Sequence, residues 1–116
     1  QEALTEIQDR NGIAFLAKVV DLDAQSTKDL AFELGKDRDD LFLVLGSAKG
    51  DKPMLSCYIS KKLVSEKGMN AKIVIRELGQ YIQGGGGGQP FFATAGGKNS
   101  AGIDKALKAA IDLIPS

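Results

Sequence analysis

Five consecutive glycines, Gly84 to Gly88, run straight into Gln89-Pro90-Phe91-Phe92-Ala93-Thr94-Ala95 and then a second pair, Gly96-Gly97. Such a run is usually a flexible tether, and a tether needs an independent unit on each side. Here only residues 89–116 follow it, too few for a second domain of ordinary size. The apolar residues before and after the run therefore have to share one core, and the run lies inside one domain. Glycine has no Cβ, so its main chain can come close to another strand, a sugar or a phosphate. Two readings follow from the residues: a turn that serves the fold alone, or a backbone surface on which a polynucleotide or phosphate rests.

The apolar pattern sets the rest of the fold. Ile13 to Leu22 is β-branched and apolar with one charge, Lys18, and is predicted to be a strand. Ser26 or Thr27 can cap a helix from about Lys28 to Gly35. Leu41 to Leu45 is continuously apolar, as in a strand buried on both faces. Met54 to Ile59 alternates, and the turn signal at 49–52 makes the two runs a hairpin. Lys61 to Lys67 is a short polar helical piece ended by Gly68. Asn70 then caps a helix with Ala71, Val74, Ile75, Leu78 and Ile82 on one face. Gly84 to Gly88 form a loop, Gln89 to Ala95 a short strand, and Asn99 or Ser100 caps a last helix. That helix carries Ile103, Ala106, Leu107, Ala110, Ile111 and Ile114, and Pro115 closes it. The expected fold is α/β (α+β): a mixed β-sheet with a central hairpin and about three helices packed on it. Residues 1–10, with Ala3, Leu4 and Ile7 at helical spacing, are expected to be the stump of an upstream helix, and residues 11–116 the globular domain.

Composition removes several chemistries. Histidine is absent, which excludes histidine-dependent triads, imidazole acid–base catalysis and histidine metal ligands. One cysteine, Cys57, allows no internal disulfide and no cysteine-rich zinc site; it is expected to be a small buried hydrophobe. Asp37, Asp39 and Asp40 alternate with basic residues and suit a solvated turn. No catalytic or metal-binding residue is assigned. Acidic and basic residues balance at 15 each, so any RNA contact must be local. No apolar run is long enough to span a membrane, and no signal peptide is visible.

The candidate RNA-facing residues are Gly84, Gly85, Gly86, Gly87, Gly88, Gln89, Gly96, Gly97, Lys98 and Asn99, joined by Lys61 and Lys62. Main-chain N–H groups at a helix start attract anions, and Lys98 adds a full charge there. Lys67, Lys72 and Arg76 extend the basic set, or are simply a solvated face. Phe91 and Phe92 can fill the core or stack on bases. Known nucleotide motifs do not fit: Lys98 is followed by Asn99, where a phosphate-binding loop has Ser or Thr, and the dinucleotide fingerprint fails at Gln89 and Pro90.

The glycine cluster, the Gln89-Pro90 step and the closing Ala95-Gly96-Gly97-Lys98 resemble the end of bacterial alanyl-tRNA synthetases. The Asn11-Gly12 entry, the link at Asp21 to Asp23, the helix with Leu30 and the hairpin before Ser60-Lys61 are similar too. The resemblance implies the DHHA1-type C-terminal module. It implies contact with the outer corner of tRNA(Ala), in support of aminoacylation and editing carried out by upstream domains. It also implies a cytoplasmic protein and self-association through the N-terminal helix. No cofactor is expected in this fragment, which is non-catalytic by itself; ATP, Mg and Zn belong to the full-length enzyme. Related modules of DHH-type phosphoesterases place a histidine beside the glycines, and its absence here disfavours that alternative. Many synthetases carry an arginine within the glycine cluster; its absence shifts weight onto main-chain N–H groups and Lys98. An oligomerisation domain is the other alternative.

Overall fold

The computed structural model describes residues 8–10, 12–20, 23–36, 38–47 and 53–113. Its elements are β1 (Gln8–Arg10), β2 (Ile13–Val19), α1 (Ala24–Gly35), β3 (Leu41–Ser47), β4 (Met54–Ile59), α2 (Lys61–Lys67), α3 (Ala71–Gly79), β5 (Gly85–Gln89), β6 (Phe92–Gly96) and α4 (Ile103–Ala110). Short 3-10 turns extend α3 through Gln80–Ile82, precede α4 at Ser100–Gly102 and follow it at Ile111–Leu113. One sheet holds all six strands in the order β1-β2-β3-β4-β6-β5. β2 and β3 are parallel, joined by α1 as a crossover; every other pair is antiparallel. This is the expected mixed sheet, with the β3–β4 hairpin near its centre.

β3 shows why the layers form. All seven of its residues are buried. Leu41, Leu43 and Leu45 join Ala14, Leu16 and Ala31 beneath α1. Phe42 and Val44 turn the other way, towards Ile75, Leu78 and Ile103 of α3 and α4. A strand between two helical layers has no solvent face to keep polar, hence its unbroken apolar run. The α3 face was legible in advance: Ala71, Val74, Ile75, Leu78 and Ile82 are all buried. The Asn70 side chain accepts a hydrogen bond from the Lys72 N–H at 3.0 Å, as a helix cap does.

Four expectations are corrected. Gln8–Arg10 is an edge strand and not the end of a helix, with Arg10 paired to Ile13. Gly12, just before β2, has φ 81°, a left-handed geometry that favours glycine. The first described helix starts at Ala24, earlier than Lys28, because Asp23 caps it: the Ser26 N–H donates to the Asp23 carboxylate at 2.8 Å. Gly85–Gln89 is a strand paired with β6, not a loop, so Gln89 belongs to β5 and β6 begins at Phe92. Neither Asn99 nor Ser100 caps α4, since the Asn99 side-chain N–H donates to the Tyr81 carbonyl at 3.4 Å. The short piece α2 brings the α-helices to four among the described residues. Residues 1–7 of the helix stump expected over residues 1–10, the turn at 49–52, Asn11, residues 21–22, Asp37, Ile114 and Pro115 lie outside the described residues.

Candidate nucleic-acid interface

The β5–β6 hairpin is the site that the glycines build. Its register sets Gly85 opposite Gly96, Gly87 opposite Thr94 and Gln89 opposite Phe92. Two bonds to β4 fix which way each main-chain group turns. The Gly97 N–H donates to the Pro53 carbonyl at 3.0 Å, and the Ile59 N–H donates to the Phe91 carbonyl at 2.9 Å. In an antiparallel ladder a residue directs its N–H and C=O to the same side, and its neighbours to the opposite side. Phe92, Thr94 and Gly96 therefore serve β5, and their partners are Gly85, Gly87 and Gln89. Gly86 and Gly88 direct their N–H and C=O outward along the sheet edge. That edge carries as many acceptors as donors, so it is not the anion cradle that N–H groups alone would make.

The second glycine segment is closed as well. The Lys98 and Asn99 N–H groups both donate to the Ile82 carbonyl, at 2.8 and 2.9 Å. The Gly84 N–H donates to the Gly79 carbonyl at 3.0 Å. The amides expected to face a phosphate near the last helix are thus engaged within the fold. The Lys98 side chain remains exposed beside them.

The glycines also divide by face. A side-chain carbon at Gly84, Gly86 or Gly88 would overlap the β6 main chain, at the Gly96, Thr94 and Phe92 carbonyls respectively. The close approach of β5 to β6 accounts for these three. At Gly85, Gly87 and Gly96 a side-chain carbon would meet no atom within 4 Å. Glycine inside a strand costs roughly 0.5–1 kcal/mol relative to alanine, and the fold offers no return at these three.

The lysines fall into separate groups. Lys61 and Lys62 are exposed at the start of α2, near Phe91, whose ring centre lies 5.3 Å from the Lys61 Nζ. Lys98 follows the opposite end of β6. The paired stretch from Tyr58–Phe92 to Met54–Gly96 separates the two ends by roughly 14 Å. The structure does not gather Lys61, Lys62 and Lys98 into one patch. Gln89 is exposed at the Lys61 end and Asn99 is half-buried at the Lys98 end. Phe91 and Phe92 are both half-buried. Phe92 packs against Phe32 with ring centres 5.1 Å apart, and the Lys28 Nζ lies 5.9 Å from its ring. Lys28 and Phe32 were missed in the sequence. Their i,i+4 spacing puts them on one helix face, but only tertiary packing lays that face beside β6.

Other chemistry is sparse. Burial pushes the Cys57 thiol up, so it stays neutral and unreactive. No group of three His, Cys, Asp or Glu that could hold a metal occurs among the described residues. Asp40 pairs with Arg38 at 3.4 Å. A cleft of about 190 Å³ between Asp39, Asp40 and α2, and another of about 200 Å³ beside Ile73, are smaller than ordinary cofactor pockets. No described helix is long and apolar enough to cross a membrane.

Comparison with known proteins extends this picture. The DHHA1 domain family matches residues 12–116. The alanine–tRNA ligase of Christiangramia forsetii is 59% identical over 94% of the chain, and that of Flavobacterium psychrophilum 52% identical over 96%. The chain spans 12% of the length of each of these relatives. The crystal structure of the C-Ala domain from Aquifex aeolicus alanyl-tRNA synthetase superposes with a TM-score of 0.85 at 27% identity, covering 95% of this chain and 98% of that one.

Proposed function

The chain belongs to the DHHA1 domain family, and from that premise we propose that it is the tRNA-contacting C-terminal domain of an alanine–tRNA ligase. In this reading it holds the outer corner of tRNA(Ala) in the cytoplasm while aminoacylation and editing proceed on other domains. The observation that carries the reading is the match over nearly the whole chain both to alanine–tRNA ligases and to a separately crystallised C-Ala domain. The exposed glycine hairpin, with the Lys98 side chain at one end and Lys61 and Lys62 at the other, supplies a surface suited to RNA. ATP, Mg and Zn belong to the ligase's other parts. The chain has no histidine and its single cysteine is buried, so it offers no imidazole and no accessible thiol to zinc.

A balanced net charge and a few scattered lysines predict weak, salt-sensitive binding. Each phosphate contact contributes a slope of about −0.7 to −0.9 in log K against log salt. Fluorescence anisotropy with labelled tRNA(Ala), from 50 to 300 mM salt, is expected to show binding that weakens with a slope of about −2 to −4. Absence of binding at 50 mM salt overturns the proposal. A second reading, assembly between copies, is favoured by the outward N–H and C=O groups of Gly86 and Gly88 on an edge strand. Sedimentation at high concentration tests it, and a strict monomer removes it.

A further inference from the structure

The outer edge of the sheet is bare. β5 carries no side chain from Gly85 to Gly88, and the exposed Gly86 and Gly88 turn their N–H and C=O groups away from β6. Sheet edges are ordinarily blunted by charged side chains or proline, and this stretch has neither. An edge of this kind accepts a further strand through main-chain hydrogen bonds. Gly86 and Gly88 lie on the α3 side of the sheet, since they stand opposite Ala95 and Ala93, which are buried with Ile75 and Leu78 of α3.

α3 runs along this edge, antiparallel to β5. At its start the Ala71 N–H donates to the Pro90 carbonyl at 2.7 Å. At its end a side-chain carbon at Gly79 would lie 3.2 Å from the Gly84 carbonyl oxygen and 3.6 Å from the Gly85 Cα. Val74 and Tyr81 line clefts shared with Leu113, so they mark the flank towards α4. By helical spacing Lys72 and Arg76 take the opposite flank, which overhangs the free edge. Both are exposed, and neither forms an ion pair among the described residues.

The spacing of these two cations matches a strand. Residues four apart on a helix are separated by about 6 Å along its axis. Alternate residues of a strand are separated by about 6.8 Å. In an added antiparallel strand, the residues opposite Gly86 and Gly88 exchange main-chain hydrogen bonds with them and put their side chains on the α3 side. We propose that the β5 edge receives an extended segment of another polypeptide with acidic side chains at alternate positions, one carboxylate beside Arg76 and the next beside Lys72. A second copy of this chain fits the edge less well. Paired edge to edge, two copies would bring Lys72 and Arg76 against the same residues of the other copy. The contact is small and its ion pairs are exposed, so the binding is weak and salt-sensitive.

The test titrates the 15N-labelled 116-residue chain with acetyl-Thr-Glu-Val-Glu-Thr-amide and, separately, with acetyl-Thr-Lys-Val-Lys-Thr-amide, followed by NMR at low salt. With the glutamate peptide the Gly86 and Gly88 amide protons are expected to move downfield saturably and to exchange more slowly with solvent. The lysine peptide should leave them in place. The double variant Lys72→Glu, Arg76→Glu should melt as the parent does, lose roughly tenfold in affinity for the glutamate peptide and gain affinity for the lysine peptide. Equal binding of the two peptides, or shifts that bypass Gly86 and Gly88, overturn the proposal. So does a folded double variant with an unchanged preference; if that variant does not fold, the parent's discrimination between the peptides decides. Shifts that follow protein concentration without peptide assign the edge to a second copy and overturn the acidic partner. Shifts produced by tRNA(Ala) and not by the glutamate peptide assign it to RNA, with the same consequence. No step requires tRNA binding by the parent, so this proposal and the tRNA reading fail separately.

Discussion

Cys57 shows how burial decides the chemistry of one residue. It lies in the core between the sheet and α3, and burial pushes its thiol up, above the ordinary thiol range. The native chain therefore keeps a proton that the unfolded chain releases. This contribution is fully present below about pH 8.5, the thiol's value in an unfolded chain, and is lost as pH rises above it. The loss approaches ~1.4 kcal/mol per pH unit. Urea unfolding at pH 7.5 and 9.5 should show the fall, and Cys57→Ala should reduce it; an equal fall in the variant would assign the effect to other groups. Tyr58, pushed up by partial burial, adds a second loss at higher pH in both proteins.

The β5–β6 hairpin carries the contrast at the scale of an element. Its glycines look alike in the sequence, yet their alternation across the strand gives them different work. Gly86 faces the Thr94 carbonyl with no room for a methyl group, so Gly86→Ala must push the two strands apart. The expected cost is about 1–3 kcal/mol, as for other overpacked sites. Gly87→Ala should cost nothing or stabilise slightly, because its space is open. Thermal melts of the two single variants check this, and equal destabilisation would refute the division by face. The run was expected to be a loop because glycine is a poor strand former. What overrides propensity is the open side of β6, whose Phe92, Thr94 and Gly96 main-chain groups need partners, and a strand without side chains can supply them at short range.

The molecule as a whole is a sheet between two helical layers, and β3 belongs to both. Leu43→Ala, on the α1 side, is expected to cost about 2–5 kcal/mol, a large part of the 5–15 kcal/mol typical of a whole domain. Urea unfolding should show a lower midpoint with an unchanged slope; a midpoint within 0.2 M of the parent, by rough expectation, would place Leu43 outside the cooperative core. The sequence by itself determined the periodic parts. The buried run of β3, the β3–β4 hairpin, the stripe and cap of α3, and the absence of histidine chemistry follow from residue type and spacing, which act locally. Only the tertiary structure decided that Gln8–Arg10 pairs as a strand and that Lys61 and Lys98 stand at opposite ends of β6. It also decided that the amides of Gly97 to Asn99 are closed by Pro53 and Ile82, and that alternate glycines face a neighbouring strand or open space. Those facts depend on which segments meet across the sheet, and residues without side chains carry no pattern from which that meeting can be read.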